Sequence, residues 1–300
     1  MFYSVLTLLV LLLVLRLGFL AARSFWIWLG RGRDLQNAVD HRRLSEQAVA
    51  ARLRGERLGR TYRQEVHRAR ALAVEEYLDR MDFGWYQAVF IFVAGSVAGL
   101  VLEEVWMFVT AGLTQSRVGL VWGPFSPLYG VGAVLLTLLS FCQRRSRATD
   151  LQLFLTSVLV GGGLEQLTGW GMQALFDAQS WTYLGLPDHI TQWVAWRFLL
   201  MWGLLGLVWA KHVMPELLYL VGEPLTHRQV AFVVMLAIYL SLDVFMTVSS
   251  FQRRAAREAG APARNGFECW IDEHYTDEFM ANRFQNLVVG HDLMDEGNAR

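Results

Sequence analysis

The chain has 300 residues, of which 54% are hydrophobic and 18% charged, whereas soluble domains average about 45–50% and about 25%. Its aromatic content of 13% and mean hydropathy of +0.30 argue against a soluble fold and predict an integral membrane protein. The net charge of zero gives no general attraction to nucleic acid. Two cysteines in different contexts, with no CxxC spacing, predict neither a disulfide framework nor a zinc site.

The first apolar run covers residues 2–22 and is long enough to cross the roughly 30 Å hydrocarbon core. A secretory signal peptide begins with basic residues, but here the positive charges follow the run, at Arg23, Arg31 and Arg33. This order predicts a retained anchor over 1–30, with its N-terminus outside and its basic flank in the cytoplasm.

Residues 31–82 are polar, with thirteen arginines between Arg23 and Arg80 interleaved with eight acidic residues. Apolar positions recur there at steps of three and four, which predicts one or two cytoplasmic helices. Such a segment is a solvated charged helix, a partner-docking helix or a surface for anionic lipid headgroups. The apolar positions are Tyr62, Val66, Ala69, Ala73 and Tyr77.

Five further apolar stretches follow, at about 85–112, 121–142, 151–176, 191–213 and 229–250. Together with the first run they predict an all-α polytopic bundle of about six spans, with the transmembrane core at 83–250 and a polar tail at 251–300.

One stretch inside the core is a poor helix start. Residues 119–132 (GLVWGPFSPLYGVG) contain two prolines and four glycines, which predicts a broken backbone. Such backbone at membrane depth is tolerated only where it is buried in protein or lines a cavity. This stretch is therefore the candidate for a segment that re-enters the membrane without crossing it.

The loop charges give conflicting predictions for the C-terminal tail. The connection 143–150 carries three arginines and is predicted to be cytoplasmic, while the loop 177–192 has no Lys or Arg and is predicted to be outside. Strict alternation of spans then places the tail outside. We favour a cytoplasmic tail, because it opens with Arg253, Arg254 and Arg257.

Several charged residues fall inside predicted spans, where each costs roughly 2.5–3.5 kcal/mol at the bilayer centre. They are expected to face the bundle interior, water or one another. Two interpretations remain open: ion pairs that fix the packing, or a pathway for a substrate, proton or ion, with direct catalysis least favoured. These residues are Glu103, Glu104, Glu165, Arg197 and Asp243.

Neighbouring residues refine two of these positions. Glu103 and Glu104 project about 100° apart on a helix, and Glu103 is expected to face the interior because it shares its face with the small Gly99. Glu165 follows three glycines, which would let another backbone approach its carboxylate.

The aromatic residues of the 177–192 loop, Trp181 and Tyr183, are either interface anchors or part of a lid.

The chain contains no GxxxxGK[ST], HExxH or GxSxG sequence. A self-powered pump, a zinc protease and a serine hydrolase are therefore not expected. No metal, cofactor or catalytic residue is predicted.

Three runs in chain order, GLVLEE (99–104), SRVGL (116–120) and GPFSPLYGVGAV (123–134), resemble the core signature of a bacterial membrane family, the ABC-transporter type IV or CmpB-like family. Further matches follow at Leu164–Glu165, at the WxY element 181–183 with Pro187, at Arg197 with WGLLG (202–206), and at Pro215. The resemblance covers about 85–220. Where the family usually has cysteine, this chain has Ser126, which argues against an essential thiol.

The resemblance implies a permease-like protein of the bacterial plasma membrane, crossing it several times. Together with the buried charges, it suggests a substrate or ion pathway formed by Glu103, Glu104, Arg117, Pro124, Pro127, Tyr129, Glu165, Trp181, Tyr183, Arg197, Trp202 and Asp243.

Three functions remain open. The chain is a transporter membrane subunit that relies on a separate ATPase, a structural or regulatory membrane protein, or an intramembrane enzyme whose Arg117 or Arg197 holds phosphate. The expected partners are membrane lipids and an ATPase subunit or other membrane proteins, with no nucleic acid.

Overall fold

The computed structural model describes residues 60–112 and 114–289, together with the separate positions 16, 17, 20, 24, 25 and 54. The predicted anchor and most of the arginine-rich segment before residue 60 lie outside this part of the chain. The fold consists of two compact units, Met1–Met81 with Gly222–Val234, and Asp82–Val221 with Met235–Arg300.

The first unit contains helix α1 (Arg60–Arg80), the last part of the arginine-rich segment. Ala69, Val74 and Leu78 are buried and recur at steps of four or five, which forms one apolar stripe along a polar helix. In the same unit the Tyr77 hydroxyl accepts a hydrogen bond of 2.7 Å from the backbone N–H of Glu223.

The second unit is built from long apolar helices: α2 (Trp85–Ala111), α3 (Pro127–Arg145), α4 (Asp150–Phe176), α5 (Trp196–Val208), α6 (Met214–Val221) and α7 (His227–Glu258). Helix α7 starts in the first unit. A π-helical turn, Trp209–Val213, joins α5 to α6. Among the described residues, three stretches are long and apolar enough to span a membrane: Trp85–Val109, Trp196–Val221 and His227–Glu258. The count of six spans stays a prediction.

Three helix boundaries differ from the predicted spans. Helix α3 begins at Pro127 rather than at 121, because proline at the first helical position needs no N–H partner and fixes a helical φ. Helix α5 begins at Trp196 rather than at 191. Helix α7 continues eight residues beyond 250, to Glu258.

Small residues bring the helices of the second unit close together, as is common in membrane bundles. A Cβ atom added to Gly95 would lie 2.4 Å from Ala133, and one added to Gly99 would lie 2.3 Å from Tyr129. These contacts pair α2 with α3 in antiparallel fashion. Helices α4 and α5 also run antiparallel, with Gly161 against the Trp202 ring.

The segment 114–126, between α2 and α3, is not helical, and its middle part is buried within the protein. Val118, Leu120 and Val121 are each less than 10% exposed. Side chains of α7 accept the free backbone N–H groups: Thr247 Oγ1 accepts from Val121 at 2.9 Å, and Asp243 Oδ1 accepts from Trp122 at 2.9 Å. The broken backbone is thus satisfied by protein, as the low polarity of a membrane requires.

The described part of the tail forms helices α8 (Gly266–His274) and α9 (Asp277–Arg283) and strand β2 (Val288–Val289). This strand pairs antiparallel with β1 (Ala178–Gln179), directly after α4. The tail therefore lies at the same end of the unit as the 177–192 loop. An exterior loop and a cytoplasmic tail cannot both be right. The tail residues Ile271, Tyr275, Met280 and Phe284 share an apolar core with Val121, Met246 and Phe251.

Candidate functional site

A cluster of polar side chains lies inside the second unit, where α2 ends, α3 begins, and α4 packs against α5. We call it the polar cluster. Every member was among the site residues suggested by the sequence. Its members are Glu103, Arg117, Tyr129, Glu165, Tyr183 and Trp202.

The first half of the polar cluster is an ion pair. Arg117 Nη1 donates to Glu103 Oε1 at 2.6 Å, and the two side chains are only 16% and 22% exposed. Tyr129 lies close enough to Glu103 for the two side chains to interact electrostatically, and Gly99 leaves room for the Tyr129 ring. Arg117 Nε is buried without a hydrogen-bond partner. Helix α2 thus directs Glu103 inward, while Glu104 has no hydrogen bond or ion pair with any described residue.

The second half is centred on Glu165, which is 8% exposed. The indole N–H of Trp202 donates to Glu165 Oε1 at 3.0 Å, whereas Oε2 is buried and has no hydrogen-bond partner within residues 60–112 and 114–289. An unpaired buried polar atom costs about 1–3 kcal/mol, and more when it is charged. No basic side chain pairs with Glu165 in the described part of the chain.

The glycines around Glu165 make room for side chains rather than for a second backbone, contrary to the expectation from the sequence. A Cβ atom at Gly161 would lie 2.1 Å from the Trp202 ring, and one at Gly169 would lie 2.3 Å from the Trp193 ring. By contrast, a Cβ atom at Gly163 would meet nothing within 4 Å. Gly161 therefore positions the ring that holds Glu165.

Tyr183 interacts electrostatically with one carboxylate from each half of the polar cluster, Glu165 and Glu103. Its ring stacks on Phe198, with centroids 4.5 Å apart. Burial raises the pKa of the Tyr183 hydroxyl, and the carboxylates of Glu165 and Glu103 raise it further. The hydroxyl therefore stays protonated at any physiological pH and remains available as a hydrogen-bond donor.

Other suggested site residues shape the surroundings instead. Arg197 pairs with Asp188 at 2.7 Å, with side chains 49% and 26% exposed, and this hydrogen bonding lowers the pKa of Asp188. Trp181 donates its indole N–H to the carbonyl oxygen of Trp193 at 3.3 Å. Pro127 opens α3, and Pro124 is exposed.

Asp243 makes its contacts in a second group, which we call the loop-anchoring cluster: Asp243 and Thr247 of α7, Arg283 of α9, and the backbone of 120–123. Arg283 donates to the carbonyl oxygen of Leu120 at 3.0 Å and also to that of Gly123. Asp243 is fully buried, and its Oδ2 has no hydrogen-bond partner.

Sequence reasoning missed Thr247 and Arg283. Arg283 contacts residues 160 and 163 positions away, and no local pattern marks such a contact.

The arrangement offers ion pairing and hydrogen bonding to a small polar group. Within the described residues, no three His, Cys, Asp or Glu side chains come together to hold a metal ion.

The model of the family described as Putative ABC-transporter type IV matches residues 90–248, more than half of the chain. The chain belongs to this family. The match confirms the family suggested by the motifs, and it identifies the chain as a transporter-related membrane protein. All six residues of the polar cluster fall within the matched region, whereas α1 and the tail lie outside it. No curated protein and no solved structure matches the chain.

Proposed function

We propose that the chain is the permease-like membrane subunit of a transporter in the bacterial plasma membrane and that the polar cluster lines its pathway. The observation that carries this proposal is Glu165 Oε2, a buried carboxylate oxygen of a membrane protein that has no hydrogen-bond partner among the described residues. Ionisable residues in such a place are expensive and mark substrate or ion pathways.

The surroundings of Glu165 support this role. Transporter sites commonly form beside interrupted helices, near the membrane midplane, and the non-helical segment 114–126 brings Arg117 to Glu103. The cluster holds an unused acceptor, Glu165 Oε2, and an unused donor, Arg117 Nε. A small solute that carries both a hydrogen-bond donor and an acceptor would pair with both of these atoms.

The energy source must come from another chain, since the sequence contains no P-loop. The full-length tagged chain should therefore co-purify with a P-loop ATPase in stoichiometric amount, when it is extracted from its native membrane in mild detergent and analysed by mass spectrometry. Absence of any ATPase, with other envelope proteins present, would refute the permease assignment.

Two matched substitutions test the pathway. Glu165→Gln keeps an acceptor for Trp202 but removes the charge, and Glu104→Gln removes a carboxylate that has no described partner. In cells, the solute profile that the wild-type protein produces should be lost with Glu165→Gln and kept with Glu104→Gln, at equal protein level and equal ATPase recovery. A normal profile with Glu165→Gln would exclude this pathway.

The second candidate is a structural or regulatory membrane protein, in which buried charges hold the bundle and the arginine-rich helix docks partners. The loop-anchoring cluster favours it, because Asp243 and Arg283 fix backbone groups of a buried loop. In that case Glu165→Gln would lower thermal stability and leave solute profiles unchanged.

A further inference from the structure

The C-terminal tail covers one end of the membrane unit, and residues 283–286 of the tail make polar contacts there. Arg283 binds the carbonyl oxygens of Leu120 and Gly123. Gln285 Oε1 accepts the backbone N–H of Ser116 at 2.8 Å, and Asn286 donates to Ser180 at 2.7 Å. The tail is thus fixed both to the loop that carries Arg117 and to the segment after α4.

The opposite end of the unit carries the basic connection between α3 and α4. Arg145 pairs with Asp82 at 3.2 Å, and Lys211 pairs with Asp150 at 2.5 Å. Because short loops rich in Lys and Arg stay in the cytoplasm, this end is the cytoplasmic one. Helix α3 ends and helix α4 begins at this basic connection. The other end of each helix lies at the end of the unit that the tail covers, which is therefore the exterior end.

Two of the three arginines that favoured a cytoplasmic tail, Arg253 and Arg257, bind acidic residues of the tail, whereas Arg254 pairs with Glu258 of the same helix. Arg253 is 7% exposed and donates to Asp272 at 2.5 and 3.0 Å. Arg257 pairs with Asp272 and Asp277, both at 2.5 Å. These arginines attach the tail to α7. At 1.5 Å per residue the 32 residues of α7 span about 48 Å, so its last turns extend beyond the roughly 30 Å hydrocarbon core.

A row of stacked rings connects the tail to the outer surface of α7, and we call it the aromatic ladder: Phe245, Phe267, Trp270 and His274. Successive ring centroids lie 5.8, 6.4 and 4.6 Å apart. Phe245 is 55% exposed and continues the exposed apolar row of Met235, Ile238 and Leu242 on α7. Phe267 and Trp270 remain 44% and 41% exposed.

We propose that the tail is an extracytoplasmic cap whose aromatic ladder lies in the headgroup region of the exterior leaflet. The lipid-facing row of α7 leads directly into the ladder, and Trp is enriched at this depth because its ring is amphipathic. This proposal replaces the cytoplasmic tail expected from the arginine count. This inference is independent of the proposed transport function.

The two native cysteines report on the two ends of the unit. Cys142 lies in the last turn of α3 and Cys269 in α8, and both are exposed. Full-length Cys142→Ser and Cys269→Ser variants each leave a single thiol. In intact spheroplasts, a membrane-impermeant maleimide should label Cys269, whereas Cys142 should react only after permeabilisation. Labelling of Cys269 only after permeabilisation would overturn the proposal.

A second labelling position in α8 keeps the test decisive if the Cys269 thiol does not react. Glu273→Cys, placed on the exposed side of α8 in a protein without the two native cysteines, should be labelled in intact spheroplasts as well. If neither α8 position reacts until the membrane is permeabilised, the tail is not exterior.

The depth of α8 in the membrane is measured separately. A nitroxide is attached to Cys269 of the Cys142→Ser protein, which is reconstituted in liposomes. Headgroup placement predicts collisions with both oxygen and a water-soluble nickel chelate. If the nickel chelate collides with this nitroxide as often as with a nitroxide on a soluble peptide, α8 does not contact lipid.

Discussion

Glu165 and Asp243 are two buried carboxylates of one membrane unit, and their surroundings differ in kind. Each accepts one hydrogen bond through one oxygen, and each has a second oxygen without a partner. Glu165 accepts a hydrogen bond from the side chain of Trp202, and no basic residue in the described part of the chain pairs with it. Asp243 is held by a backbone N–H and lies in the field of Arg283.

The difference shows why a charge in a predicted span does not by itself identify a pathway. Asp243 satisfies a backbone that would otherwise lose hydrogen bonds in a non-polar environment, so its position is explained by folding. Among the described residues, Glu165 accepts no hydrogen bond from a backbone N–H. Its burial lowers the stability of the fold, as is common for residues retained for function.

The largest loss of stability is expected for Asp243→Leu. It removes the acceptor of the Trp122 N–H, and an orphaned buried donor costs about 1–3 kcal/mol. It also removes the negative charge near Arg283. Thermal unfolding of the purified protein in detergent should show a lower midpoint than in wild type. An unchanged midpoint would mean that α7 does not anchor the 114–126 segment.

Gly161→Ala should be nearly as damaging, because the new Cβ atom would overlap the Trp202 ring. Overpacking of this kind costs about 1–3 kcal/mol. Gly163→Ala is the matched control from the same glycine run, since its Cβ atom meets nothing within 4 Å and helix propensity favours alanine. Equal unfolding midpoints for the two variants would contradict the packing described for Trp202.

Acid should release the tail only at low pH. Hydrogen bonding from Arg253 lowers the pKa of Asp272, so its contribution is complete above the unfolded value of about 3.9. It is lost as the pH falls through the lower folded value. The motion of a nitroxide on Cys269 should stay restricted from about pH 7 to 5. It should become freer only below about pH 4. Release above pH 5 would show that Asp272 does not control docking.

The smallest effect is expected for Arg197→Gln. Its ion pair with Asp188 is half exposed, and such pairs contribute about 0–1 kcal/mol. The unfolding midpoint should stay close to that of wild type, and so should the transport phenotype. A strong loss of transport would bring Arg197 back into the pathway.

The residues of the polar cluster could be identified from the sequence because they lie in runs that carry the family signature. The inward direction of Glu103 followed from its neighbour Gly99. The start of α3 at Pro127 was missed, because hydrophobicity alone extends the span into the buried non-helical segment. The role of Asp243 could not be predicted, since its partners lie about 120 residues before it and about 40 after it in the chain.

The most direct test compares the melting temperatures of Glu165→Gln and Asp243→Asn in the same detergent. Both substitutions preserve shape and one acceptor oxygen while removing the charge. The account predicts opposite signs: Glu165→Gln melts at or above wild type, because a buried charge without a counter-ion is removed, and Asp243→Asn melts below it, because Arg283 loses its countercharge. A decrease of equal size in both variants would contradict the distinction between a site residue and a structural one.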